Sequence, residues 1–169
     1  MNIGVLFDLD GVVIDSESIY TDFWIDIEKT FPTGIENFAL KIKGSTLPTI
    51  LNTYYPDEEK QTVIMSKIVD FEKNMQYRPF PEALRFIREL KEAGIRCAIV
   101  TSSSQNKMNN LYLQNPGFKE LFDAVITGDV VTHSKPHPEP YLMGASAIGI
   151  QPEYCYVFED SLSGIQSGL

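Results

Sequence analysis

The sequence predicts an α/β protein: a doubly wound, mostly parallel sheet, opened after its first strand by an all-helical insert. Two observations carry this prediction. From residue 81 onward, short apolar runs alternate with segments of helical periodicity, the pattern of strands joined by helical crossovers. Between the first apolar run and that alternation, residues 16–78 show helical spacing and nothing that resembles a strand.

Ile3 to Phe7 is fully apolar and ends in acid, as a strand covered on both faces would be. Ser16 to about Thr30 is predicted helical, with Ile19, Phe23, Trp24 and Ile27 at helical spacing. Thr46-Leu47-Pro48 marks a helix start with proline in its first turn. Asp57 to Asn74 carries a stripe of Val63, Ile64, Ile68 and Phe71, and its acids Asp57, Glu58 and Glu59 form a solvated face. Arg78-Pro79-Phe80-Pro81 is a stiff, extended junction. These signals divide the chain into a core of residues 1–15 and 79–169 and a helical insert of residues 16–78.

The core then resumes. Pro81 to Ala93 turns Leu84, Ile87 and Leu90 inward and is closed by Gly94. Ile95 to Val100 is the second strand, and a helix runs from Ser104, as N-cap, to about Gln114. Ala124 to Thr127 is the third strand, Pro138 to Ile148 a helix, Tyr154 to Phe158 the fourth strand, and a helix begins near Ser161.

Composition narrows the function classes. Lysine and arginine number 14 against 23 acids, a net charge of −9. Such a chain lacks the basic face that nucleic acid requires, and an anionic substrate must be gripped locally. No apolar stretch approaches the roughly 18 residues of a membrane span, so no membrane partner is expected. No secretory signal is visible at the start of the chain. Cys97 and Cys155 sit in apolar runs and are expected as buried free thiols of a cytoplasmic protein.

In an open parallel sheet, reactive groups gather beyond the carboxyl ends of the strands. Asp8, Asp10 and Gly11 follow the first strand, and Thr101 and Ser102 follow the second. Lys135 lies at loop distance after the third, and Glu159 and Asp160 follow the fourth. Residues two apart in extended chain share a face, so Asp8 and Asp10 are expected to point the same way and to repel unless a cation lies between them. With Asp160 they form an all-oxygen set suited to Mg²⁺. A carboxylate can attack phosphorus. Lys135 and Thr101 would meet the charge on the transferring group, Asp10 would protonate the leaving oxygen and later activate water, and Gly11 would let the backbone approach. His133 and His137 lie four apart, but the sequence shows no third ligand of the right kind beside them.

The run Asp8-Leu9-Asp10-Gly11-Val12-Val13-Ile14-Asp15-Ser16 resembles the haloacid dehalogenase-like superfamily, in the branch of β-phosphoglucomutase and small-metabolite phosphatases. Ile99-Val100-Thr101-Ser102-Ser103, Ser134-Lys135-Pro136-His137-Pro138 and Phe158-Glu159-Asp160-Ser161 resemble its later motifs, in order. The resemblance implies a Rossmann-like core with a helical cap, Asp8 as nucleophile and Asp10 as acid/base. It implies Mg²⁺ held by Asp8, the Asp10 carbonyl and Asp160, with Glu159 assisting. Either Thr101 or Ser102 would supply the second-motif hydroxyl, Thr101 being favoured. Mutases of that branch carry a histidine where Tyr20 stands, and an arginine shortly after a Lys-Gly step. Here Lys43-Gly44 leads only to Ser45, Thr46 and Leu47, so the grip on a second phosphate is missing. The expectation is a phosphatase for a small phosphorylated metabolite, with a sugar-phosphate mutase as the alternative and a non-catalytic phospho-receiver as a third reading that the insert disfavours. Similar proteins continue with a further strand and helices, so the chain is also expected to be part of a longer one, of about 210 residues.

Overall fold

A computed structural model describes residues 3–169. Its strands are β1 (Gly4–Phe7), β2 (Arg96–Val100), β3 (Ala124–Ile126) and β4 (Cys155–Phe158), all parallel, in the order β3-β2-β1-β4. Helices α1 (Glu17–Thr30), α2 (Phe38–Lys41), α3 (Leu47–Tyr54) and α4 (Glu58–Asn74) separate β1 from α5 (Pro81–Glu92). Helices α6 (Gln105–Gln114), α7 (Glu139–Ala147) and α8 (Leu162–Gly168) complete the chain. The doubly wound α/β prediction is therefore correct, with element ends displaced by a residue or two.

Alternation along the strands builds two half-cores. Val5, Phe7, Cys97 and Ile99 pack with Ile87, Met108 and Leu111 on one face of the sheet. Leu6, Ala98 and Val100 pack with Tyr141, Ala145 and Ile148 on the other. The helices α1–α4 bury a core of their own around Trp24, Ile27, Phe38, Leu51, Ile64 and Ile68. Their ends follow the sequence signals. Thr46 caps α3, and Asp57 caps α4 by accepting from the Glu59 and Lys60 amides, so Asp57 is a cap as well as a solvated acid. The two chain crossings into this insert run side by side. The Asp15 amide donates to the Arg78 carbonyl at 2.8 Å and the Phe80 amide to the Val13 carbonyl at 2.9 Å.

One expectation fails at β4, the burial of Cys155. The strand is the sheet edge, with Tyr156 63 % and Phe158 40 % exposed. For the same reason Cys155 is only partly buried, whereas Cys97 is buried as expected; both are free thiols. Among the described residues no helix is long and apolar enough to cross a membrane.

Candidate active site

β1 and β4 are neighbours in register, Phe7 opposite Phe158, so Asp8 and Glu159 leave the sheet side by side. The Asp8 amide donates to the Phe158 carbonyl at 2.9 Å. Lys135 arrives from the β3–α7 loop and is 2 % exposed. Its ammonium donates to Asp8 Oδ1 at 2.7 Å, Glu159 Oε1 at 2.5 Å, the Val100 carbonyl at 3.1 Å and the Tyr141 hydroxyl at 3.2 Å. Glu159 is held from its other side by the Asp160 and Ser161 amides and the Ser161 hydroxyl.

Carboxylate oxygens of Asp8, Glu159 and Asp160 lie within 4.8 Å of one another. Asp160 also takes Lys43 of the insert at 2.8 Å, and Lys43 pairs with Glu17 at 2.9 Å. Burial first, then Glu159 and Asp10, push Asp8 up to about 7, while Lys135 pulls it down. Two ammoniums, Lys135 and Lys43, face four carboxylates, Asp8, Glu159, Asp160 and Glu17, so negative charge is left uncompensated. Hard oxygen donors, closely spaced and short of positive charge, fit a divalent cation.

Asp10 sits just before a tight turn, where the Gly11 amide donates to the Ile14 carbonyl at 2.9 Å. Its carboxylate is gathered by residues that the sequence did not suggest. The Ser16 hydroxyl and the Lys107 ammonium (2.5 Å) donate to Oδ1, and the Ser103 hydroxyl donates to Oδ2 at 2.8 Å. These donors hold Asp10 below its ordinary value against the effect of burial. Ser16 looks like an N-cap of α1, yet its side chain makes no capping hydrogen bond. Lys107 lies on the buried face of α6 with Met108 and Leu111; a lysine on an apolar helical stripe was the signal available.

Thr101 is buried, its amide donating to the Ile126 carbonyl, and its Oγ1 accepts from the Ser103 amide at 3.0 Å. Ser102 instead donates to the Gly44 carbonyl of the insert at 2.7 Å. His133 and His137 sit exposed in the same loop as Lys135, away from the acid group. The third donor missing from the sequence reading is Glu139, 2.7 Å from His133 Nδ1. Glu139 already accepts from the Thr132 and His133 amides and so closes the loop.

Gly11 has φ +78°, and a Cβ there would meet the carboxylate of Asp160. Gly11→Ala is expected to lose about 1–2 kcal/mol to the left-handed backbone alone, and to displace Asp160. Urea denaturation reads the loss; unchanged stability would show that the turn relaxes.

Residues 4–169 match the sequence model of the haloacid dehalogenase-like hydrolases. Pyrophosphatase PpaX of Oceanobacillus iheyensis is 30 % identical over 97 % of this chain and 77 % of its own length. Hexitol phosphatase A of Escherichia coli is 28 % identical over 98 % of this chain and 78 % of its own. Among solved structures, a Bacteroides vulgatus protein assigned as a β-phosphoglucomutase superposes with a TM-score of 0.82 at 30 % identity, covering 98 % of this chain and 71 % of that one.

Proposed function

The chain belongs to the haloacid dehalogenase-like hydrolase family, and from that premise we propose that it is a Mg²⁺-dependent phosphatase of small phosphorylated metabolites. The observation that carries the proposal is Asp8 at the end of β1, paired with buried Lys135 and grouped with Glu159 and Asp160. In this reading residues 1–15 and 79–169 form the catalytic core and residues 16–78 the cap over it. Free Cys97 and Cys155 suit a reducing, cytoplasmic setting.

Asp8, Asp160 and the Asp10 carbonyl would hold Mg²⁺, with Glu159 assisting; when bound, the ion supplies positive charge at the transferring phosphoryl group. The Asp8 carboxylate attacks phosphorus, the bond to the leaving oxygen breaks, and Asp10 gives that oxygen a proton. An aspartyl-phosphate remains on Asp8. Asp10, now a carboxylate, takes a proton from water, whose oxygen attacks phosphorus and frees Asp8 and phosphate. Lys135 orients Asp8, and Thr101 offers its hydroxyl to a phosphoryl oxygen, with Ser102 committed to the insert. Gly11 leaves room for the phosphoryl group to approach.

The likeness to the Bacteroides protein favours a second reading, a sugar-phosphate mutase. Against it, Lys43 turns toward Glu17 and Asp160, and the Tyr20 hydroxyl is engaged by Glu72 at 2.7 Å. Inorganic phosphate release from a panel of sugar phosphates, glycolate phosphate and nucleotides, with Mg²⁺ and with chelator, separates the readings. Mg²⁺-dependent release from monophosphates is expected. Efficient interconversion of β-glucose 1-phosphate and glucose 6-phosphate, primed by a bisphosphate, would overturn the choice. Full activity in chelator would remove the metal.

A further inference from the structure

We propose that Lys107 is a positioning residue for Asp10, the counter-ion that receives and aims its carboxylate for the attack of water in the second half of the reaction; the proposal rests on the phosphatase reading above. Lys107 is 2 % exposed on a helix face otherwise built of Met108 and Leu111. An apolar side chain would suit that face better, since a buried ammonium must be stripped of water. Among the described residues its ion-pair partner is Asp10, at 2.5 Å.

The ammonium is also fixed from the insert. It lies 4.1 Å from the centroid of the Tyr20 ring, and the Tyr20 hydroxyl donates to Glu72 Oε1 at 2.7 Å. Tyr20 and Glu72 belong to α1 and α4, Lys107 to α6, so the contact spans insert and core. All three side chains on the Asp10 carboxylate are donors: Ser16, Ser103 and Lys107. What they hold is an acceptor, the form that takes a proton from water. The two hydroxyls can rotate toward other partners. The ammonium, walled by Tyr20 and α6, cannot follow them, and so fixes the direction of Oδ1.

The charge balance agrees. In the first half Asp10, protonated for that step, gives its proton to the leaving oxygen and becomes the carboxylate that its three donors hold, Lys107 meeting the charge. In the second half the carboxylate takes one proton from the attacking water and returns to its starting form. Loss of Lys107 should therefore slow hydrolysis of the aspartyl-phosphate more than its formation.

p-Nitrophenyl phosphate tests this, because its leaving group departs without a proton. Lys107→Met, with Mg²⁺ present, should lower kcat by about 10–100-fold, a general-base effect. KM should fall in step, leaving kcat/KM nearly unchanged, and a burst of p-nitrophenol should precede the slow steady state. In an Asp10→Asn background the same substitution should cost no further activity. Tyr20→Leu, which frees the ammonium while leaving Asp10 its ion pair, gives a smaller shift of the same kind and serves if Lys107→Met does not fold. Loss of kcat/KM without a burst, or additive losses with Asp10→Asn, overturns the role of Lys107. A folded wild type that releases no p-nitrophenol from this ester defeats the phosphatase reading itself.

Discussion

Asp8→Asn should reduce phosphate release at least about 100-fold, the scale of loss for an essential reacting group, while the fold survives. An amide oxygen does not attack phosphorus, yet it still accepts the hydrogen bond from Lys135. The same variant should be more stable than the wild type when no divalent cation is present. Burial, Glu159 and Asp10 raise Asp8 from 3.8 to about 7 in the folded chain. A raised acid favours folding most below its unfolded value, and that contribution is lost as the pH climbs through the folded value. At pH above about 7 the native state therefore carries a charge that the amide removes. The thermal midpoint of Asp8→Asn should exceed that of the wild type by a few degrees there, and the gain should shrink as the pH is lowered toward about 4. Retention of more than about a hundredth of wild-type turnover would show that the nucleophile is misassigned.

Lys135→Met carries the second large effect. The ammonium is the one positive group that bridges Asp8 and Glu159, and it also satisfies the Val100 carbonyl and the Tyr141 hydroxyl. Methionine fills much the same volume but leaves two buried carboxylates facing each other. Removal of one partner from such a group costs about 3–5 kcal/mol, a large share of the stability of a domain of this size. Activity should fall with it, since Asp8 loses its orientation. The loss should be partly reversible: a divalent cation brings charge to the same acids, so Mg²⁺ should raise the melting temperature of Lys135→Met more than that of the wild type. Equal stability of the two proteins in chelator would contradict the electrostatic account of this site.

The sheet and the rim of acids were legible because apolar runs that stop at charged residues mark the carboxyl ends of strands. Asp8, Lys135, Glu159 and Asp160 could be gathered in this way before any coordinates. Side-chain direction across elements was not. Lys107 lies in the first turn of a helix, and nothing local says that its ammonium reaches Asp10, 97 residues away in sequence. Ser16 stands at the start of α1, and only the fold shows that its hydroxyl serves Asp10. The contact of Lys43 with Asp160 joins insert to core and has no signature in either segment alone. β4 was legible as a strand, but composition reports what a strand can bury, not what lies against it.

The account turns on a covalent bond between Asp8 and phosphorus. Turnover of p-nitrophenyl phosphate, quenched in acid and reduced with borohydride, converts an aspartyl-phosphate to homoserine, which peptide mass spectrometry locates. Homoserine at position 8, dependent on substrate and enriched by Lys107→Met, is the predicted result. Unmodified Asp8 with homoserine at another acid, or none at any acid under conditions that give a burst, would contradict it.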